Sequence, residues 1–373
     1  MEIYYLYLIE LIKDTINPNE VTYRDDLDYS ILFTLAKKHL VATMVYDCIE
    51  KISNSLDKEL VKQWKEVHDK AIVKDIIQRK ELDHLVSLFT YNEIATLPLK
   101  GCLLKQVYPK TYQREMSDLD ICVPTSSRKE IKQLMIKEGY SVKEYGHVGH
   151  DVYFKKPVLN IEIHDYLIPS NYKKLDAYFK DGFLLAEEIK PFYYQLSKED
   201  FYLHMVAHAY KHYYGSGTGI RTILDFYLYR KFNNDLDFNY IKQKLDQLEI
   251  EQFENNIYHL SLVWFEDKDY SKELKEMEEY ILNSGTYGTK VNKITREYNE
   301  YTKNIRKESN KKWIYSIKRL FPNYTKMKIW FPIVGKYKVL LPFCYIYRLI
   351  RAILFKRDII SMEIKILRQI NKN

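Results

Sequence analysis

Apolar residues recur at three- and four-residue steps through most of the first 90 positions, the pattern of helices that bury one face. In ILFTLAKKHLVATMVYDCIEKI they fall at Ile31, Leu35, Leu40, Met44, Val45 and Cys48, and IIQRKELDHLVSLF continues the rhythm. Few Gly or Pro residues interrupt it, so residues 1–90 predict an N-terminal helical region. The period then shortens. Between 91 and 168 come a strand-like run from Ile94 to Leu99, the alternating Asp118-Leu119-Asp120-Ile121, and the runs YSVKEY, DVYFKK and VLNIEIHDYL, the last two separated by a turn at Lys156-Pro157. Thr125 or Ser126 is placed to cap a helix through Glu138 that stops at Gly139. A helix among strands, followed by a hairpin, predicts an α+β core with a mixed sheet and helices on one face.

Residues 169–305 return to the helical period. FYLHMVAHAYKHYY sets His204, His208 and His212 four residues apart on one face, before the loop Gly215 to Gly219 and the helix IRTILDFYLYRKF. A polar stretch with a loop near Ser284 to Gly288 follows. Residues 306–373 mix Lys and Arg with aromatic residues and are divided into short helices by Pro322, Pro332 and Pro342. No internal repeat of fixed period is visible.

Composition narrows the class. A chain of 373 residues, 46% hydrophobic and 29% charged, is a globular protein with a sizeable core, not a disordered one. The net charge of +7 is modest, but about a dozen Lys and Arg and no acid lie between Lys311 and Arg357. Cys48, Cys102, Cys122 and Cys344 show no CxxC spacing, which predicts reduced thiols in the cytoplasm and no thiolate zinc site. The start, MEIYYLYLIELIKD, reads as a helix and not as a signal peptide. The longest uncharged apolar run near the C-terminus, Val339 to Tyr347, is far below the ~20 residues that span a bilayer, so no transmembrane segment is expected.

The candidate chemistry centres on residues 97–123, LPLKGCLLKQVYPKTYQREMSDLDICV. In a strand, residues two apart share a face, so Asp118 and Asp120 present two carboxylates side by side, a costly arrangement without a cation. Glu162 sits in another alternating strand. Three such acids are the parts of a two-metal phosphoryl-transfer site, with Mg²⁺ or Mn²⁺ held by Asp118, Asp120 and Glu162 at a separation of roughly 3.5 to 4 Å. Gly101 allows close approach of backbone to a phosphate, and Lys100, Arg114 and Ser117 offer donors to it. His164, two residues after Glu162, should share its face and orient a ligand or acceptor.

Other chemistries are excluded. The histidine helix lacks the glutamate of HExxH, since Met205 and Ala209 follow His204 and His208. GSGTG follows a helix, unlike a dinucleotide loop. Neither a GxxxxGK loop nor a GxSxG elbow is present.

The order Lys100-Gly101, Arg114, Asp118-x-Asp120 and Ile161-Glu162-Ile163-His164 resembles the uncharacterised nucleotidyltransferase family of the polymerase-beta-like superfamily, found among bacterial polysaccharide-synthesis genes. The likeness extends to LFTLAKKHLVATMVYDCI, HMVAHAYKHYY and LLPFCYIYRLIR. Lys-Gly replaces the commoner Gly-Ser or Gly-Gly turn of the superfamily, as it does in that family. The resemblance implies a polymerase-beta-like nucleotidyltransferase core at 91–168, a helical domain at 169–305 completing the cleft, and transfer of a nucleoside monophosphate from a triphosphate to an acceptor hydroxyl. It also supports placing His208, Lys211 and His212, with Arg221 and Asp225, at the nucleotide cleft as substrate-binding groups. The acceptor stays open among a sugar, a protein and an RNA. The alternatives are a catalytically silent nucleotide-binding scaffold and a toxin-like enzyme modifying RNA or protein. The basic aromatic region fits nucleic acid or an anionic membrane, and the polysaccharide association favours peripheral membrane contact through 311–357.

Overall fold

The computed structural model describes residues 1–146, 149–168, 172–303, 305, 308–355 and 357–370, with backbone alone at 308, 309, 325 and 329. The described residues form two separately packed units, one of residues 1–211 and 218–286, the other of residues 212–217 and 287–373.

In the first unit, α1 (Glu2–Ile16), α2 (Tyr29–Lys38), α3 (Ala42–Lys51) and α4 (Lys58–Tyr91) form the expected N-terminal helices. Asp28 caps α2 by accepting from the Ser30 amide, and Asp57 caps α4 by accepting from Leu60. The continuous period across Ile31 to Cys48 hides a break: Leu40 adopts φ +52°, and the chain turns there between α2 and α3. Neither Gly nor Pro marks that turn. Then come α5 (Gly101–Leu104), α6 (Arg128–Lys137), α7 (Lys173–Phe179), α8 (Lys198–Tyr213), α9 (Ile220–Phe232), α10 (Phe238–Leu248), α11 (Glu251–Glu266) and α12 (Lys272–Ser284). Helix α6 stops at Glu138-Gly139 as expected, with Gly139 at φ +84°. Its start differs, because residues Thr125–Ser127 form a 3-10 turn and no side chain caps it.

The chain is mixed α+β. A five-stranded sheet contains β1 (Leu97–Pro98), β2 (Leu119–Cys122), β3 (Ser141–Glu144), β4 (His150–Lys155) and β5 (Leu159–His164), in the order β1-β2-β5-β4-β3. Strands β2 and β5 run parallel and the other neighbours antiparallel, so the sheet is mixed, as predicted. β1 is much shorter than the run Ile94 to Leu99. A second hairpin, β6 (Ala186–Lys190) and β7 (Tyr193–Leu196), lies where helix was expected. AEEIK has no apolar alternation to announce a strand. Backbone bonds hold it instead: Thr96 N–H donates to the Phe192 carbonyl at 2.8 Å and Tyr194 N–H to the Thr96 carbonyl at 2.9 Å.

Alternation along the strands divides the sheet. Leu119, Ile121, Leu159, Ile161, Ile163 and Tyr153 are buried on one face, packed with Leu85 and Phe89 of α4 and Ile131 and Met135 of α6. The opposite face carries Asp120, Glu162, His164 and His150, so burying the apolar set turns the polar set outward together.

In the second unit, α13 (Lys290–Thr302), α14 (Glu308–Leu320), α15 (Tyr324–Trp330), α16 (Ile333–Lys336), α17 (Leu341–Phe355) and α18 (Arg357–Gln369) follow one another. Met327, Val334 and Cys344 make a small core. Glu363 accepts from Tyr315 at 2.6 Å and Arg319 at 2.9 Å, tying α18 to α14. Among the described residues, no helix is long and apolar enough to cross a membrane. All four cysteines are free and buried.

Candidate active site

Two aligned strands bring the acids together. Asp120 and Glu162 are direct partners in the parallel β2–β5 ladder, and Cys122 pairs with His164 one step further on. Glu162 therefore faces the same way as Asp120, away from the apolar core. On the far side, antiparallel β4 sets His150 opposite His164.

Donor atoms of Asp120, Glu162 and His164 all lie within 4.8 Å of one another, a separation that suits ligands of a single divalent ion. His164 Nε2 is 2.7 Å from Asp120 Oδ1 and 3.6 Å from Glu162 Oε2, and His150 Nε2 is 3.7 Å from the same Glu162 oxygen. Asp118 immediately precedes β2 and feels the Asp120 charge, but the group whose ligand atoms cluster contains His164 in its stead. The donor set thus fits a metal and includes an imidazole.

The electrostatics bear the mark of crowded carboxylates. Burial, with Asp120 and Asp118 adding to it, pushes the Glu162 carboxyl up to about 7. Burial and Asp120 also raise Asp118. Asp120 goes the other way: burial opposes its charge, yet the Lys100 ammonium and the His164 hydrogen bond hold it well below the usual range.

Lys100 follows β1 and donates from Nζ to Asp120 Oδ1 at 3.1 Å. Its backbone has φ +47° and ψ −115°, a region that glycine occupies freely and other residues rarely enter. Gly101 opens α5, and a Cβ there would come within 2.7 Å of Arg114 Nη1. Arg114 itself is buried, with Nε and Nη2 donating to the two Asp225 oxygens at 2.7 and 2.8 Å. Tyr108 also donates to Asp225, at 2.7 Å. Arg114, expected to donate to a phosphate, and Asp225, expected at the cleft beside Arg221, instead engage each other: Asp225 is the buried counter-ion of Arg114.

Arg221, one turn before Asp225 on α9, donates to the Glu115 carbonyl at 2.6 Å and lies close enough to Asp118 to lower its pKa. Ser117 is half-buried beside Asp118. Lys211, on α8 in the first unit, is half-buried; burial, with Lys100 adding to it, brings its ammonium down to about 8, against the attraction of Asp120 and Glu162. His208 is half-buried on α8, its ring centre 6.3 Å from that of His204. His212 belongs to the second unit, where its carbonyl accepts from Gly215, Ser216 and Gly217.

Sequence reasoning missed two groups. His150 lies one residue before the DVYFKK run, and only the β4–β5 register reveals that it reaches Glu162. Lys74 of α4 feels the Asp118 charge, but one lysine in a long polar helix carries no signal of that kind.

Clustered acids, an imidazole and cations thus share the polar face of a mixed sheet. The family model for uncharacterised nucleotidyltransferases matches residues 25–266, and the chain belongs to that family. The match spans α2 to the end of α11 and so includes the whole sheet. Neither a curated protein nor a solved structure matches the chain.

Proposed function

We propose that the chain is a divalent-metal-dependent nucleotidyltransferase with a polymerase-beta-like core. Its substrate is a nucleoside triphosphate, from which the nucleoside monophosphate passes to an acceptor hydroxyl and pyrophosphate leaves. The observation that carries this reading is the Asp120–Glu162 pairing on the polar face of the sheet, with His164 within reach of both.

Asp118, Asp120 and Glu162 would hold the metal, Mg²⁺ or Mn²⁺, with His164 as a further ligand. When bound, the ion neutralises charge on the transferring phosphoryl group and polarises it. Around it, the chain supplies positioning. Lys100 and Lys211 present ammonium groups toward the acid cluster, where a triphosphate would bring further negative charge. Arg114, fixed by Asp225, backs the Gly101 turn and holds the Lys100 segment in place, while Ser117 and Arg221 flank Asp118. His208 is a candidate for acceptor contacts. Glu162, whose carboxyl burial and the neighbouring aspartates raise to about 7, is suited to take the proton of the attacking hydroxyl once ionised. The acceptor is proposed as a sugar of cell-surface polysaccharide, with a protein or an RNA end as the other candidates.

One observation favours a second reading. Asp120 Oδ1 already accepts from Lys100 and contacts His164. A protein that binds nucleotide without transferring it needs no more than that. Incubation with each α-labelled triphosphate and Mg²⁺ or Mn²⁺, against a panel of acceptors, separates the two. Transfer of label with pyrophosphate release, abolished in Asp118→Ala/Asp120→Ala, supports the enzyme. Nucleotide binding without pyrophosphate release supports the scaffold.

A further inference from the structure

We propose that helix α17 lies flat on an anionic lipid surface, with its exposed apolar stripe entering the headgroup boundary and neighbouring basic residues contacting lipid phosphates. This inference concerns the second unit alone and does not depend on the chemistry of the sheet.

The stripe comprises Phe343, Ile346, Tyr347, Ile350, Ile353 and Leu354, each more than half exposed. At 3.6 residues per turn these six fall within an arc of about 120°. The opposite side of the helix does most of the packing: Cys344 is buried in the core of the second unit, Leu341 and Tyr345 pack beside it, and Tyr347 at the edge of the stripe meets the Phe331 ring at 6.1 Å. Tyr345 donates to the Pro322 carbonyl, and its ring meets Phe321 at 5.5 Å. Helix α17 is therefore held in the unit by one face while the other presents bulky hydrocarbon to solvent, an arrangement that marks an interaction surface.

Charge selects the occupant. Residues 311–357 carry twelve Lys and Arg and no acid. Arg351 flanks the stripe and is exposed, as are Lys326, Lys328, Lys336 and Lys338. A second copy of the same surface would bring like charges together. Nucleic acid would use the cations, but four of the six stripe residues are aliphatic and offer bases no ring to stack on. An anionic bilayer uses both features, hydrocarbon for the stripe and phosphate for the cations. With 15 residues, α17 is too short to span a bilayer, which needs about 20, so it lies in the plane.

The test is co-sedimentation of the full chain with vesicles of phosphatidylcholine alone or mixed with phosphatidylglycerol, at low and high salt. The expected result is binding to the mixed vesicles that falls as salt rises, with little binding to phosphatidylcholine. Ile350→Glu/Leu354→Glu should lower that binding at least tenfold while the circular dichroism spectrum is unchanged. Arg351→Glu, which leaves the stripe intact, should lower it about fivefold or more. Three results overturn the proposal: no preference for the anionic vesicles, a wild-type oligomer that the double variant converts to monomer without any lipid binding, or RNA binding that is tighter than vesicle binding and survives the double substitution.

Discussion

The Lys100 ammonium stands 3.1 Å from Asp120 Oδ1, held there by a backbone at φ +47° that suits glycine better than lysine. A strained residue retained beside an acid cluster points to a role for its side chain. Its ammonium reaches into the site. Lys100 thus supplies positive charge where a metal is proposed to bind. Replacing it should make that competition visible. In Lys100→Ala and Lys100→Gly, added Mn²⁺ should raise Tm by more than in wild type, because a ligand specific for the folded state stabilises it. Lys100→Gly should be about 1 kcal/mol more stable than Lys100→Ala, through relief of the backbone. Thermal melts with and without metal check both statements.

His164 makes the ligand set partly nitrogenous. Imidazole suits Mn²⁺ and later first-row ions better than Mg²⁺, which prefers oxygen. His164→Ala should therefore weaken Mn²⁺ binding roughly tenfold, with a smaller effect on Mg²⁺. Calorimetric titration of each ion measures the two separately, and equal losses would argue that His164 only supports Asp120.

Arg114 and Asp225 form a buried two-point ion pair under the Lys100-Gly101 turn. Removing one partner strands a charge. Asp225→Asn is expected to cost about 3 kcal/mol of stability, measured by urea unfolding. A loss below about 1 kcal/mol would show that Arg114 finds another partner.

His39 gives the protein a defined acid sensitivity. Its Nδ1 accepts from the Ile220 amide at the start of α9 at 3.1 Å, and its Nε2 donates to the Leu282 carbonyl at 3.1 Å. That pattern requires the neutral ring, and burial, with Lys38 adding to it, brings the pKa down to about 3. The unfolded value is near 6.5, so the unfolded chain takes up the proton first. Stability from this group is complete above pH 6.5 and is lost as pH falls toward 3, at up to about 1.4 kcal/mol per pH unit. Urea midpoints between pH 7 and 4 should fall less steeply in His39→Gln than in wild type.

The parts of the site carried by period were legible in the sequence. Alternation at Leu119-Asp120-Ile121 and at Ile161-Glu162-Ile163-His164 placed acids and apolar residues on opposite faces, and the sheet has that arrangement, whereas Asp118 lies just before the strand instead of within it. What the sequence could not supply was register and pairing. His150 becomes a neighbour of Glu162 only because antiparallel β4 ends opposite His164. Arg114 looked available to phosphate because Asp225, 111 positions away, gives no local sign that it will be the partner. The β6–β7 hairpin was hidden for a similar reason, since backbone bonds to Thr96 hold it where side-chain alternation is missing.

The central claim is that Asp120 and Glu162, paired across two parallel strands, hold a divalent cation. Electron paramagnetic resonance of free Mn²⁺, titrated into the purified protein at neutral pH, tests it most directly. The account predicts saturable loss of the free-ion signal in wild type and an affinity at least tenfold weaker in Asp120→Asn and in Glu162→Gln, with both variants folded by circular dichroism. Equal Mn²⁺ binding in wild type and both variants would contradict it.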